Sequence, residues 1–147
     1  MDEPIKHEHI HIMDTVDTFQ EAIMQAATPL INDGYIDKAY VQDIYDSLEK
    51  NGPYIVVADY VALPHAQPSE KVLKNGLSLL LLNNPVDLLG NPIHVFIVLA
   101  AKDSTAHLAS LKSLAIFLME KENIDALIGA ESVPGIQKVL EERWQTS

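Results

Sequence analysis

The order of apolar residues along this chain predicts a mixed α/β fold, with helices before and after a central sheet of about four or five strands. Near both ends of the sequence, apolar residues recur every three or four positions, which is the repeat of one helix face. Between these segments lie short β-branched and aliphatic runs that begin and end at glycine, proline or asparagine, as buried strands do. These observations define the fold class.

The length and the hydrophobic content indicate one core. A chain of 147 residues with 48% hydrophobic residues can bury a single substantial core, and no repeat or long linker divides it. We therefore expect a single domain over residues 1–147. Residues 1–13 are polar and terminal, so we expect them to form a flexible N-terminal extension.

Two helices are predicted before the sheet. The first covers about residues 18–30, follows residues that can cap a helix, and ends at Asn32-Asp33-Gly34. The second covers about residues 37–50 and ends at Asn51-Gly52-Pro53. Both have one apolar face that can pack against a sheet.

Three strands are predicted in the middle of the chain. Residues 54–58 have the length and β-branched content of a buried strand. Residues 77–82 follow a glycine and run into Asn83-Asn84-Pro85, so we expect a strand that ends there. Residues 93–101 are almost entirely apolar, which suits a strand covered on both faces.

Helical spacing returns after the sheet. A helix is predicted from Ser104, where leucines recur at one-turn intervals. Two further short helices are predicted over residues 124–128 and 136–144.

Composition excludes several classes of protein. The net charge is -11, with 21 acidic against 10 basic side chains and no cluster of lysine or arginine, so nucleic acid is not an expected partner. The chain has no cysteine, which excludes disulfides and thiolate chemistry within it. The apolar runs are too short to cross a membrane and no signal-peptide pattern is present. We expect a cytoplasmic protein.

A histidine between two prolines is the first candidate functional residue. The segment reads Ala62-Leu63-Pro64-His65-Ala66-Gln67-Pro68. Each proline fixes its own φ and restricts the residue before it, so the segment should be stiff and extended. The imidazole of His65 could then act as a base, a metal ligand or a nucleophile, or it could be a hydrogen-bonded loop histidine without a reactive role.

His107 is the second candidate. It follows Asp103 where the last predicted strand gives way to a helix. The free N–H groups and the dipole of a helix N-terminus stabilise anions such as a phosphoryl group. The spacing is equally compatible with a partly exposed first-turn residue that has no role.

The remaining histidines give weaker signals. His7, His9 and His11 alternate, so an extended segment would place all three on one face, where they could chelate zinc or nickel. We favour a mobile terminus with incidental histidines and expect no metal. His94 begins an apolar strand and is interpreted as a hydrogen-bonded core or strand-edge histidine.

An ordered set of segments links the chain to a known family. The set comprises Gly52-Pro53-Tyr54-Ile55-Val56-Val57, Ala62-Leu63-Pro64-His65-Ala66, Gly76-Leu77-Ser78-Leu79, Pro92-Ile93, Leu99-Ala100-Ala101-Lys102-Asp103 and His107. It spans roughly residues 18–140 and resembles the enzyme IIA domains of the bacterial phosphotransferase system. Within the mannitol and fructose group, the resemblance is greatest to the ascorbate type.

The resemblance implies a three-layer α/β/α sandwich and a phosphohistidine relay. His65 would take a phosphoryl group from the carrier protein HPr and pass it to a cysteine of an enzyme IIB, which feeds a membrane enzyme IIC. His107 would assist by donating a hydrogen bond or orienting the His65 ring, and no cofactor is required. A regulatory module of the same fold, signalling through His65 phosphorylation, is the alternative. The sequence leaves a homodimer open.

Two details of the histidine segment bear on this relay. Gln67 stands where ascorbate-type relatives often carry arginine, and an amide cannot act as a guanidinium clamp on phosphate. A carrier that serves two partners in turn should have a shallow apolar rim. The candidate rim residues are Tyr60, Val61, Leu63 and Ala66.

Overall fold

A mixed five-stranded sheet forms the centre of the computed structural model, which describes residues 4–144. The strands are β1 (Ile10–Met13), β2 (Val56–Ala58), β3 (Tyr60–Ala62), β4 (Gly76–Leu88) and β5 (Asn91–Ala100). The helices are α1 (Phe19–Asn32), α2 (Lys38–Asn51), α3 (Ser104–Leu118), α4 (Lys121–Ile128) and α5 (Val133–Arg143). A short 3₁₀ helix, His7–His9, precedes β1.

The strand order is β1-β4-β5-β3-β2. A long antiparallel hairpin, β4 with β5, occupies the middle and pairs Gly76 with Ala100 at one end and Leu88 with Asn91 at the other. β1 runs parallel to β4, and β3 runs parallel to β5. β3 and β5 therefore end at the same edge of the sheet, which is where each of the two candidate histidines follows its strand.

Both faces of the hairpin are covered, so the fold has the three layers that the sequence and the resemblance predict. Leu80, Leu82 and Phe96 point towards the cluster that includes α1 and α2. Leu79 and Leu81 point to the opposite face and pack in a second cluster with α3, α4 and α5. Side chains alternate along a strand, so a strand buried on both faces must be apolar at every position.

The predicted helices are confirmed, and short polar side chains begin them. The side chains of Thr18, Asp37, Asp103 and Ser132 each accept a backbone N–H from the first turn of the helix that follows. Gly52 ends α2 with φ of +75°, a conformation that side chains rarely adopt. Within residues 4–144, no helix is long and apolar enough to cross a membrane.

Two strand predictions need correction. The strand expected over residues 54–58 is the short edge strand β2, which leaves Val57 exposed, because only β3 pairs with it. β4 does not end at Asn83-Asn84-Pro85 but continues to Leu88, with its register shifted between Leu81 and Val86. Such a bulge accommodates a proline, which has no N–H to give to the ladder.

The N-terminal segment is also corrected. Residues 10–13 are not a flexible extension, because β1 pairs residue by residue with Leu79–Leu82 of β4. Ile5 and His9 are each only 2% exposed, so the segment before β1 is packed as well. The isoleucines of this segment cover apolar surface at the sheet edge that would otherwise face water. Residues 1–3 of the expected extension lie outside the described residues.

Candidate functional site

The backbone around His65 is held from three directions. The amide of Leu63 donates to the Ile55 carbonyl oxygen at 2.7 Å, and the amide of Leu99 in β5 donates to the Pro64 carbonyl oxygen at 3.1 Å. The amide of Ala66 donates to the hydroxyl of Tyr40, a buried residue of α2, at 3.0 Å. These bonds hold the stiff path that the flanking prolines predict.

Tyr40 joins this segment to the end of β5. Its hydroxyl lies 2.9 Å from the Leu99 carbonyl oxygen and 3.2 Å from the Ala66 carbonyl oxygen, and it accepts the Ala66 amide. Burial raises the pKa of Tyr40 to about 12, so the hydroxyl keeps its proton and remains a donor. Sequence reasoning placed Tyr40 on the apolar face of a helix and did not assign it this contact.

The His65 ring has a defined tautomer. Its Nδ1 lies 2.6 Å from the carbonyl oxygen of Leu63, and a carbonyl oxygen can only accept, so Nδ1 carries the proton. The Nε2 lone pair is therefore the free, nucleophilic position. Burial lowers the pKa of His65, the bond to Leu63 partly offsets this, and the charge of His107 lowers it further. The ring is neutral at pH 7, as a nucleophile requires.

Tyr54 supports His65 through two contacts. Its hydroxyl donates to the His65 carbonyl oxygen, and its ring meets the His65 ring edge-on with 5.2 Å between centroids. Burial raises the pKa of Tyr54, which keeps the donor protonated. Sequence reasoning missed this role and counted Tyr54 as part of a strand. The available signal was its position directly after Gly52-Pro53, in a turn beside the histidine segment.

His107 lies in the first turn of α3, which Asp103 caps by accepting the Ala106 amide at 2.8 Å. The rings of His65 and His107 are 5.4 Å apart between centroids and inclined by 57°. The His107 Nδ1 is buried and has no hydrogen-bond partner among the described residues. The structure thus brings together the two histidines that the sequence singled out, and leaves His107 with an uncommitted ring nitrogen.

The other histidines lie elsewhere. The His94 Nδ1 lies 2.8 Å from the Leu82 carbonyl oxygen and is hydrogen-bonded to it. The interpretation of His94 as a hydrogen-bonded strand histidine is therefore confirmed. His7, His9 and His11 do not alternate on one extended face, because residues 7–9 form a 3₁₀ helix. The His7 Nδ1 lies 3.0 Å from Gln137 Oε1, and the His9 Nε2 lies 2.9 Å from Asp33 Oδ2.

The predicted rim is largely wrong. Val61, Leu63 and Ala66 are buried core residues. Tyr60 is 46% exposed, but it pairs with Ile93 and meets the His94 ring near the start of β5, whereas His65 follows the other end of β3. The predicted rim residues precede or follow His65 in sequence, and sequence proximity does not place a side chain on the same surface.

A different apolar surface borders the histidine pair. Leu111 lies one helical turn after His107 on the same face of α3, while Leu108 of this helix is 66% exposed and Met119 after it is 80% exposed. Between them, a shallow groove of about 340 Å³ is lined by Val57, Leu111, Leu118 and neighbouring side chains. We call this the α3 surface. It is an exposed apolar patch of the kind that marks contact with another protein.

The arrangement fits acceptance and release of a small anionic group. A neutral imidazole presents a free Nε2, a second imidazole has an unpartnered nitrogen beside it, and the first turn of a helix adds backbone donors. Gln67, two residues after His65, has an exposed side chain.

Comparison with known proteins agrees with this fold and geometry. Residues 3–143 match the family model described as phosphoenolpyruvate-dependent sugar phosphotransferase system, EIIA 2. The chain is 38% identical over 133 residues to the mannitol-specific cryptic phosphotransferase enzyme IIA component of Escherichia coli strain K12, which covers 89% of this chain and 90% of that protein. It is 30% identical over 126 residues to the ascorbate-specific EIIA component of the same strain, with 83% and 82% covered.

A solved structure shows the same architecture. The solution structure of the mannitol-specific cryptic enzyme IIA of Escherichia coli superposes with a TM-score of 0.87 at 34% identity, covering 95% of this chain and 96% of that one. This defines the chain as an enzyme IIA domain. It belongs to the EIIA 2 family of the phosphoenolpyruvate-dependent sugar phosphotransferase system, of the mannitol and ascorbate type.

Proposed function

We propose that this protein is a phosphohistidine carrier in which Nε2 of His65 accepts a phosphoryl group from phospho-HPr and passes it to a cysteine of an enzyme IIB. The observation that carries the proposal is the 2.6 Å contact between His65 Nδ1 and the Leu63 carbonyl oxygen. It fixes the proton on Nδ1 and leaves Nε2 as the attacking atom.

The phosphoryl transfer needs no separate base, because no proton leaves the His65 ring in either step. The Nε2 lone pair forms a bond to phosphorus while the bond from phosphorus to the HPr histidine breaks. The His65 ring then carries a positive charge, which the Leu63 carbonyl oxygen stabilises through Nδ1–H. In the second step a cysteine thiolate of enzyme IIB attacks phosphorus, and His65 leaves as the same neutral tautomer. The chain itself needs no cysteine for this step, and it has none.

His107 supplies a donor to the phosphoryl oxygens. Any tautomer of its ring carries at least one N–H, and its Nδ1 has no competing partner among the described residues. A loose phosphoryl-transfer transition state spreads charge over the equatorial oxygens, so catalysis depends on in-line positioning and well-placed donors. His107 at the start of α3 supplies a donor, and the restrained ring of His65 supplies the positioned nucleophile.

The α3 surface is the proposed contact region for HPr and enzyme IIB. It borders His107, is apolar and shallow, and exposes Leu108 and Met119. A shallow surface allows two partners to bind in turn and leave quickly. The net charge of -11 favours encounter with a partner that carries a basic patch.

The transported substrate is proposed from the relatives. Because the identity is higher to the mannitol-specific component, a hexitol is the first substrate to test. Ascorbate, which the sequence segments led us to expect, is the second. Membranes containing enzyme IIC, with the matching enzyme IIB, separate the two by which substrate becomes phosphorylated when this protein is added.

Phosphorylation with phosphoenolpyruvate, enzyme I and HPr tests the carrier function. The adduct should be acid-labile and alkali-stable, and ³¹P NMR should place it on Nε2. His65→Ala should abolish labelling, whereas the matched control His7→Ala should keep it. Adding enzyme IIB should then discharge the wild-type protein. Undiminished labelling of His65→Ala would exclude His65 as the carrier, and a phosphorylated protein that discharges to no enzyme IIB would favour the regulatory alternative.

A further inference from the structure

A second cluster of ligand-type side chains lies beside β1, away from the histidine pair. Strands β4 and β5 separate β1 from β3, which leads to His65. A cavity of about 440 Å³ opens here between the segment before β1 and the end of α1. Glu8, His9 and Asp33 each place one ligand atom within 4.8 Å of the other two. The proposed relay uses none of these residues.

His9 is the fixed member of this cluster. It is only 2% exposed, and its ring stands edge-on to Tyr35 with 4.9 Å between centroids. Its Nε2 lies 2.9 Å from Asp33 Oδ2, so a nitrogen and a carboxylate oxygen already converge. Ligand atoms bound at about 2.0 to 2.2 Å to one tetrahedral ion lie roughly 3.4 Å apart. The two atoms of this pair lie about 0.5 Å closer than that, so a small shift of the half-exposed Asp33 side chain would fit both to one ion, and the exposed Glu8 side chain can rotate to complete the set.

His11 is a further imidazole on this cavity. It lines the same cavity, and its Nδ1 is buried without a hydrogen-bond partner among the described residues. Buried polar atoms are usually paired, so this unpaired imidazole nitrogen of a cavity-lining residue needs an explanation.

We propose that Glu8, His9 and Asp33 bind a divalent cation of the zinc class, with His11 beside them as an additional imidazole. Imidazole and carboxylate donors together suit Zn²⁺ and its neighbours Co²⁺ and Ni²⁺ rather than Mg²⁺ or Ca²⁺. Binding displaces the proton between His9 and Asp33 and replaces one hydrogen bond with metal–ligand bonds. The ion ties the chain before β1 to the end of α1, which makes the site structural.

The charged side chain of Lys6 competes with a metal ion for the carboxylates of this cluster. Its ammonium interacts with Asp33 and Glu8 and lies 5.4 Å from the centroid of the Tyr35 ring. A bound cation would be repelled by this charge. Removing the charge with Lys6→Gln should therefore tighten metal binding several-fold, an effect that a metal bound elsewhere would not show.

Isothermal titration of the untagged protein with Zn²⁺ tests the proposal. We expect one ion per chain and a higher melting temperature in its presence. Asp33→Asn, which changes a half-exposed residue and keeps the fold, should weaken binding at least tenfold and lose the zinc-dependent rise in melting temperature. His9→Gln should do the same, and Co²⁺ should give a tetrahedral absorption spectrum in the wild-type protein but in neither of these two variants.

Two controls separate this site from other histidines. His7→Gln should bind Zn²⁺ as the wild type does, because His7 does not belong to the cluster. The double variant His65→Ala/His107→Ala should also bind normally, although it cannot take part in phosphoryl transfer. Absence of stoichiometric binding, unchanged binding by Asp33→Asn, or binding lost in the double variant would each overturn the proposal without touching the carrier function.

Discussion

Tyr54 holds His65 at two points, through a hydroxyl that donates to the His65 carbonyl oxygen and a ring edge that contacts the imidazole. One tyrosine therefore restrains both the backbone and the side chain of the proposed nucleophile. The two contacts can be separated experimentally, because phenylalanine retains the ring and removes only the hydroxyl.

Tyr54→Phe should slow phosphoryl transfer from phospho-HPr by several-fold and lower stability by about 1 kcal/mol, the usual net value of one hydrogen bond. Rapid-quench transfer assays and thermal melts measure the two effects. Tyr45→Phe is the matched control, since its hydroxyl also donates to a carbonyl oxygen, that of Gln20, far from the histidines. Equal transfer rates for the two variants would show that Tyr54 only stabilises the fold.

His107→Ala should slow transfer on the order of 100-fold, because a positioned donor to the phosphoryl oxygens is lost. The fold should survive, since the His107 Nδ1 has no hydrogen-bond partner within residues 4–144 that an alanine would remove. His107→Gln, which restores an N–H donor, should recover part of the rate. Wild-type rates in both directions for His107→Ala would show that the residue has no role in the transfer.

The rate of phosphoryl acceptance should fall in acid with a midpoint below the ordinary histidine value of 6.5. Burial lowers the pKa of His65, and only the neutral ring offers a free Nε2. NMR titration of the His65 ring protons gives the pKa directly, and the transfer rate should follow the same curve. A midpoint at or above 6.5 would contradict the neutral, buried nucleophile.

The same lowered pKa also couples stability to pH. Below about 6.5 the unfolded chain binds a proton at His65 more readily than the folded chain does. This contribution to stability is therefore complete above that pH and is lost as the pH falls towards the folded pKa. Denaturant melts of the wild type and His65→Gln should diverge below neutrality, with the variant losing less stability. Parallel curves for the two proteins would contradict this linkage.

Leu108→Glu should weaken transfer from HPr at least tenfold with little change in melting temperature, because it introduces a charge into the apolar α3 surface. Leu73→Glu is the control, since Leu73 is 53% exposed and lies outside that surface. The KM for phospho-HPr should rise for Leu108→Glu and stay constant for Leu73→Glu. An identical KM for both variants would show that HPr docks outside the α3 surface.

The sequence predicted most of the architecture because periodicity records which faces are buried. The central runs of the hairpin strands, residues 79–82 and 95–100, are apolar at every position since helices cover both faces, and the helices show their single buried stripe. The pairing of His65 with His107 followed from their positions after strands, together with the family resemblance. These features are encoded in local pattern.

The sequence predictions that were wrong or incomplete concern contacts with other segments of the chain, which a local sequence pattern does not show. β4 passes through Asn83-Asn84-Pro85 because β5 continues beside it and a bulge absorbs the proline. Residues 10–13 pair with β4 although they are short and polar in part. The supporting roles of Tyr40 and Tyr54 arise from hydrogen bonds to carbonyl groups elsewhere in the sequence, and only Tyr54, directly after Gly52-Pro53, carries a local signal.

The bond from the Leu99 amide to the Pro64 carbonyl oxygen has a thermodynamic consequence for turnover. It extends the hydrogen bonding of β5 to the residue before His65, so the His65 segment is held in place by the central hairpin. The conformational entropy of that segment is then lost once, when the chain folds, and not at each encounter with a partner. Amide exchange at Leu99 should accordingly require global unfolding, and every transfer should begin from a nucleophile that is already ordered.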